Sequence, residues 1–360
     1  MNRLRVLIVS AHDSSGGAAR AMHRVFTAIH TFFSDEVDVT WRVVHKTHDD
    51  NRIIGGKPQR SRWEQSAYWI RTRFRKHFPR DAFISNNSLL HSQALYATGL
   101  GREVQSLNPD VVLLGWLGNG TLSVEEIGAL KTPVVWRLSD MWMFSGAEHY
   151  TDSHRYRQGY STASRPDHES GPDIDRETFL RKKRSWTNPR HIVALTSWLR
   201  RECEASELTS GWPTHVIPVP IDTEKWSPRD KETARSQFGI SKEAVVILFG
   251  AGSGTTQSHK GSDLLFDSLP LLSTLREDMG LTAPITLGIF GEEGTPRSQD
   301  GIEIQFLGRL NDEQLAAAYS ASDVFVAPSR LEAFGQVAAE AQACGTPVVA
   351  FDNSGLADVV

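Results

Sequence analysis

"DVFVAPSRLEAFGQVAAEAQACGTPVV", residues 323–349, carries a strand, a loop, a helix, a turn and the start of another strand in one run. The "VFVA" segment is apolar without alternation, as expected of a parallel strand covered on both faces. Glu332 lies in the loop, Gly335 ends it, and Gln336 to Ala343 have the small, helix-favouring composition that lets a helix approach a ligand closely. The N–H groups of residues 333–336 then point at whatever binds there. Glu340 shares one helical face with Gln336 and Ala343. A carboxylate there suits vicinal hydroxyls rather than phosphate, because two anions repel.

The same rhythm extends outward. In the first half, residues 5–10, 110–116, 133–138 and 191–196 read as buried strands. In the second half, residues 245–252, 285–291, 304–310, 323–329 and 347–351 do the same, with a helix over 312–321. Between the two series, "HVIPVPIDTEKWSP" (215–228) holds three prolines and turns polar, which marks a connection between domains. The fold class is therefore α/β: two Rossmann-like, doubly wound parallel-sheet domains, 1–216 and 217–360. Ligands of such sheets bind beyond the carboxyl ends of the strands, so the active site is expected in a cleft that the two halves face.

Composition narrows the function. A chain of 360 residues can bury two cores, and a net charge of −4 argues against nucleic acid as a partner. Two distant cysteines, Cys203 and Cys344, form neither a disulfide framework nor a zinc motif and fit a reducing, cytoplasmic location. The apolar N-terminal run is too short for a signal peptide, and no run reaches membrane-spanning length.

Two segments break the rhythm. Residues 57–80 place Trp63, Ala67, Ile70, Phe74 and Phe78 at helical spacing among Arg62, Arg71, Arg73 and Lys76. That stripe either packs on its own domain or docks on anionic lipid at the inner face of the membrane. Residues 145–185 are charged and poor in aliphatics, and read as a mobile loop, with a lid or acceptor loop as the alternative. Their histidines lack a metal-ligand spacing. The "DID" at 173–175 has the letters of a metal-binding Asp-x-Asp but no strand before it, and reads as surface.

Two further turns suit phosphate. Gly16 and Gly17 follow the first strand and open a helix, although G-x-G-x-x-G is absent. In "FGAGSGTTQSHKGSDLL" (249–265), Lys260 sits at a helix start after a glycine-rich loop that is no Walker A.

Together, the Glu-x7-Glu spacing with "FG" after the first Glu, "ACGTPVVA", "ASDVFVAPS", "HKGSDLL" and "VIPVPIDTEKWSP" resemble the family-4 retaining glycosyltransferases of the GT-B fold. "SSGGAARAMHRV", "NPDVVLLGWLGNGTLSVEEIGAL" and "PVVWRLSDMWMFSGAEHY" resemble its exopolysaccharide, colanic-acid-type branch. The resemblance spans nearly the whole chain. It implies a hexosyl-type transferase in surface polysaccharide synthesis, using a UDP- or GDP-sugar donor and a glycan or lipid-linked acceptor, with no cofactor and no metal. Glu340 would hold the ribose, Lys260 the diphosphate and Gly16-Gly17 the distal phosphate. Glu332 and the amides of Ala333, Phe334 and Gly335 would contact the transferred sugar, and the first domain would take the acceptor.

The chain departs from that pattern in four ways. No arginine precedes Lys260, leaving Arg309 or another base to help. Ser139 stands where the branch has histidine, making Asp140 the nearest polar group for the transferred sugar, and Ala147 and Ser153 stand near the branch's cysteines. The chain also ends at Val360, before the family's last strand and helices, so the second domain is expected to lack its C-terminal end. These departures keep open a non-catalytic nucleotide-sugar-binding protein or a GT-B epimerase.

Overall fold

Runs of consecutive apolar residues become the strands of two sheets in the computed structural model, which describes residues 3–73, 90–118, 120–250 and 258–360. The chain divides into two units, Met1–Pro218 and Val219–Val360.

In the first unit, β1 (Leu4–His12), β2 (Val37–His45), β3 (Ile53–Ile54), β4 (Val111–Leu114), β5 (Val134–Arg137), β6 (His191–Ala194) and β7 (Thr214–Val216) form one sheet in the order β3-β2-β1-β4-β5-β6-β7. All its pairings are parallel. Around it lie α1 (Gly16–Phe32), α2 (Arg62–Arg73), α3 (Leu100–Ser106), α4 (Val124–Gly128), α5 (Ile174–Ser185) and α6 (Ser197–Ala205). Met22 and Phe26 of α1 pack with Ile8, Val39 and Trp41 of the sheet.

The second unit holds α7 (Lys231–Gln237), β8 (Val245–Gly250), α8 (Ser262–Asp278), β9 (Ile285–Phe290), β10 (Arg297–Gln299), β11 (Ile302–Gly308), α9 (Asp312–Ala321), β12 (Val324–Ala327), α10 (Gln336–Ala343) and β13 (Val348–Ala350). Its sheet runs β10-β11-β9-β8-β12-β13. Only the β10–β11 pair is antiparallel. Leu248 and Phe325 pack with Tyr319 and Ala338 on one face, while Ile247 and Phe249 pack with Leu265 and Leu269 on the other. That two-sided burial is why these strands read as unbroken apolar runs. At α9, Asn311 Oδ1 accepts from Gln314 N at 2.9 Å and Gln314 Oε1 from Asn311 N at 3.0 Å, a capping box.

The structure corrects four sequence expectations. His215 and Val216, the first residues of the proline-marked stretch, belong to the edge strand β7 (Thr214–Val216). The helix of 57–80 is α2, and its inner contacts are not the predicted stripe: Glu64 pairs with Arg102, and Tyr68 meets Tyr96 edge-on at 5.5 Å with Arg60 over its ring at 4.2 Å. Trp63 (84% exposed), Trp69 (61%) and Ile70 (47%) face solvent. Phe74, Lys76 and Phe78 lie outside the described residues.

Residues 145–151 and the inner face of 174–182 are packed into the unit, while 161–171 are exposed or half-buried, and Asp175 of the "DID" is buried. Lys182 of α5 is completely covered; its Nζ donates to the carbonyls of Trp142, Ser145 (3.2 Å) and Gly146 (2.6 Å) and sits 3.9 Å from the Trp142 ring. Tyr160 Oη donates to Glu148, and Asp175 Oδ1 accepts from Ala147 N at 3.1 Å. Charge therefore hides inside a segment that composition marks as surface, because its members neutralise one another.

Burial, followed by the Asp175 charge, holds the Glu148 carboxyl well above its ordinary 4.5. A raised folded pKa means that this group's stabilisation is complete below the unfolded value and is lost as pH rises through the folded one. Glu148→Gln removes the titrating carboxyl while keeping its size. Relative to wild type, its stability should rise from pH 5 to pH 8, because wild type loses this group's contribution as pH rises. Thermal melts of both proteins at the two pH values check this, and a variant that loses ground at pH 8 would refute the raised carboxyl.

Candidate functional site

In the second unit, two loops leave the carboxyl ends of the neighbouring strands β8 and β12 and pack against each other. Residues 251–257, most of the glycine-rich loop, lie outside the described residues. The described part resumes with a single turn, Ser258–Lys260, and Gly261 at φ 71° before α8. A β-carbon on Gly261 would lie 1.9 Å from the Pro328 carbonyl oxygen, so glycine is required both for the left-handed backbone and for the approach of the β12 loop. Arg330 N donates to the His259 carbonyl at 2.8 Å, and the Arg330 guanidinium grips Asp263 through two bonds of 2.6 and 2.7 Å. Burial, followed by the Lys260 charge, pushes the His259 imidazole down to about 4.

This packing brings Lys260 Nζ onto the Glu332 carboxylate, across 72 positions of sequence. Both side chains are mostly buried. Glu332 N donates to Ser354 Oγ at 3.2 Å, and the Glu332 carbonyl accepts from Gly355 N at 2.7 Å, which fixes the loop. Ala333 and Phe334 are buried beneath it. Gly335, at φ 91°, opens α10 without a side-chain cap; a β-carbon there would meet Leu356 at 2.5 Å. Glu340, 2% exposed, accepts from Tyr319 Oη at 3.3 Å. The arrangement places one cation, two carboxylates and a helix N-terminus at adjacent strand ends. It suits a ligand that is anionic at one end and hydroxylated at the other. Arg330, on the β12 loop, has its guanidinium held by Asp263, and Arg309 is exposed beyond β11.

In the first unit, Gly16 (φ 82°) and Gly17 open α1, and Ser15 gives the helix no side-chain cap. A β-carbon on Gly16 would meet nothing within 4 Å, so its left-handed backbone rather than crowding explains glycine there. Asp140 follows β5 but is not a bare carboxylate. His149 Nδ1 lies 2.5 Å from Asp140 Oδ2, Trp142 N donates to Oδ1 at 2.9 Å, and Ser92 Oγ lies 2.7 Å from His149 Nε2. Asp140, Ser139, Trp116, Trp136, Trp142 and His149 line a small pocket of about 10 Å³, room for about one water. Sequence reasoning missed His149 and Trp116. Both lie in motifs that carry the family resemblance, Trp116 in "NPDVVLLGWLGNGTLSVEEIGAL" and His149 in "PVVWRLSDMWMFSGAEHY", but nothing in either motif singles it out as a site residue.

Among the described residues, one acidic group has the spacing of a cation site, Glu169, Asp173 and Asp175. It already has cations of its own: Arg155 lies 2.5 Å from Asp173 and 3.8 Å from Glu169, and Arg165 lies 3.6 Å from Glu169.

Comparison with known proteins agrees with this geometry. The chain is 37% identical over 160 residues to a D-inositol 3-phosphate glycosyltransferase of Geodermatophilus obscurus, covering 41% of this chain and 34% of that protein. A namesake from Actinosynnema mirum is 35% identical over 173 residues, covering 43% and 40%. The matches thus span well under half the length of these relatives. HepE of Anabaena, solved with UDP-glucose, superposes with a TM-score of 0.57 at 16% identity, covering 99% of this chain and 83% of that one. The lipopolysaccharide glycosyltransferase WaaG gives 0.56 at 16%, covering 98% and 82%. These likenesses show the fold, two Rossmann-like units of the GT-B type. Residues 230–360, which hold Lys260, Glu332 and Glu340, match the family described as Glycosyl transferases group 1.

Proposed function

We propose that the chain is the working part of a glycosyltransferase that moves a hexose-type sugar from a UDP- or GDP-sugar to a hydroxyl of a glycan or lipid-linked acceptor, with retention and without a metal, in surface polysaccharide synthesis. The observation that carries this reading is the meeting of Lys260 and Glu332 beside the uncapped start of α10. In the transfer, the bond from the anomeric carbon to the diphosphate breaks, the acceptor oxygen bonds to that carbon, and the hydroxyl proton goes to the departing diphosphate. Charge grows on the diphosphate, where Lys260 and the α10 N-terminus supply a cation and oriented donors. Gly16 and Gly17 would take the distal phosphate, Glu340 the ribose hydroxyls, and Glu332, Asp140 and the amides of Ala333, Phe334 and Gly335 the transferred sugar.

The test is calorimetry of the full chain with UDP and with GDP. Glu340→Ala and the gentler Glu340→Gln should weaken the favoured nucleotide by about 10–100-fold, the worth of hydrogen bonds to a charged group. Unchanged affinity in both variants would remove Glu340 from the site.

The same reading puts the protein in the cytoplasm, at the inner face of the membrane. Cys203 and Cys344 are buried and unpaired, and among the described residues no helix is long and apolar enough to cross a membrane. The outward face of α2, with Trp63, Trp69 and Ile70 beside exposed Arg62 and Arg73, fits an anionic lipid surface. Binding to vesicles containing phosphatidylglycerol is expected at low salt and should fall severalfold at 0.5 M salt and in Trp63→Ala/Trp69→Ala. No binding at low salt would dismiss the membrane role.

A further inference from the structure

Arg137 closes β5 and is 3% exposed, yet its terminal nitrogens Nη1 and Nη2 are shut off from solvent and have no hydrogen-bond partner among the described residues. Burial, with no carboxylate opposing it, pushes the guanidinium down to about 10, so it still carries its charge at neutral pH. The other buried arginines are engaged. Arg42 holds Glu103, Arg155 holds Asp173, Arg190 donates to the Ile127 carbonyl and Arg235 holds Asp323. A buried cation left without such a partner is costly, and a fold keeps one where something else brings the negative charge.

Strand register shows which way that side chain leaves the sheet. Val135 pairs with Leu113, and Leu113 with Ile8, so the three share one face, on which Ile8 and Leu113 pack with Met22 and Phe26 of α1. Arg137, two positions beyond Val135, leaves β5 on that same face. Trp136 between them points the other way, towards Trp142 and Trp186. Gly115 lies one position past the pair of Leu114 with Trp136, and a β-carbon there would sit 2.6 Å from Met22 Cε, so α1 covers the strand next to Arg137. The amino end of α1 follows the carboxyl end of β1, the end of the sheet at which Arg137 stands. Its first turn is exposed, and Ser15 gives it no side-chain cap. Two strand spacings, roughly 10 Å, separate β5 from β1, a gap that an arginine side chain and one phosphate group span together. A helix start on one side and a fixed guanidinium on the other suit that group.

We propose that Arg137 is a phosphate-binding residue, and that its guanidinium and the amino end of α1 at Gly16 and Gly17 take one phosphate group between them in the first unit. The proposal rests on the reading that gives the Gly16 and Gly17 turn a phosphate, and adds the cation that holds it. That phosphate belongs either to the nucleotide-sugar donor or to a phosphorylated acceptor, such as the inositol phosphate in the relatives' name. The chemistry of the two is shared, and the experiment separates them.

The experiment uses the full chain with Arg137→Met, which fills the space, and Arg137→Lys, which keeps the charge. Thermal melts without ligand come first. Arg137→Met removes an unpaired buried charge, so it should melt at the wild-type temperature or above, whereas an arginine kept for structure would leave it lower. Calorimetry follows with UDP, with uridine, and with inositol 3-phosphate in the presence of UDP. If the phosphate is the donor's, UDP should bind Arg137→Met about 10–100-fold more weakly with uridine unchanged, the worth of hydrogen bonds to a charged group. If it is the acceptor's, inositol 3-phosphate should show that loss and UDP should not. Arg137→Lys should bind between the two, because the charge returns without the planar fork. Inorganic pyrophosphate, which needs no ribose contact, should raise the melting temperature of wild type and leave that of Arg137→Met unmoved, even if Glu340 proves to have no part in nucleotide binding. The proposal is overturned if UDP, inositol 3-phosphate and pyrophosphate all bind Arg137→Met as they bind wild type, or if ligand-free Arg137→Met melts well below wild type.

Discussion

Lys182→Met is expected to destabilise the first unit by about 3–5 kcal/mol, the usual consequence of removing one member of a buried charged cluster. Methionine fills much of the space, so the loss is electrostatic. The carbonyls of Trp142, Ser145 and Gly146 lose their common donor, and Glu148 and Asp175 lose the cation that faces them. Three carbonyls around one nitrogen call for three N–H donors, which only the ammonium form has. Burial nevertheless pushes Lys182 down to about 7 from its ordinary 10.5. The folded state then binds fewer protons than the unfolded state between those values, so this group makes stability rise with pH across that window and leaves it flat below. Hydrogen exchange of backbone amides in residues 134–194 reads the effect without interference from the second unit. Wild-type protection there in Lys182→Met would show that the ammonium contributes nothing net.

That cluster also marks where sequence stops predicting structure. The strands were legible because burial on both faces leaves an unbroken apolar run, as in Val245–Gly250 and Ile285–Phe290. β2 was not, because "VDVTWRVVH" interrupts its apolar residues with Asp38 and Arg42, and nothing local shows that Arg42 is buried against Glu103 at 2.7 Å. For residues 145–185 the failure has the same origin on a larger scale. A buried Lys182 and a surface lysine are the same letter, and only the partners 34 to 40 positions away distinguish them. The site divides likewise. The Glu332–Gly335–Glu340 segment is contiguous and could be read in order, whereas the contact of Asp140 with His149 and of His149 with Ser92 depends on how the chain returns.

Glu332→Gln should separate two roles that one carboxylate now holds. Without ligand, Glu332 occupies Lys260, so an incoming diphosphate must compete for that cation. An amide in its place leaves Lys260 available. UDP alone is then expected to bind more tightly, by up to about fivefold if the pair is worth as much as a well-formed exposed one, and by more to the extent that burial strengthens it. Sugar transfer should move the opposite way, falling about 100- to 1,000-fold, because the proposed role of Glu332 is to meet the sugar as its bond to diphosphate breaks. Calorimetry with UDP and release of free nucleotide from UDP-glucose or a GDP-sugar in the presence of acceptor measure the two effects on the same preparation. Weaker UDP binding in the variant would mean that Glu332 supports the nucleotide directly, and wild-type turnover would remove it from the chemistry. If wild type binds the nucleotide sugar and turns over none, the tighter UDP binding of Glu332→Gln still follows from the ion pair, because the competition for Lys260 exists whether or not transfer does.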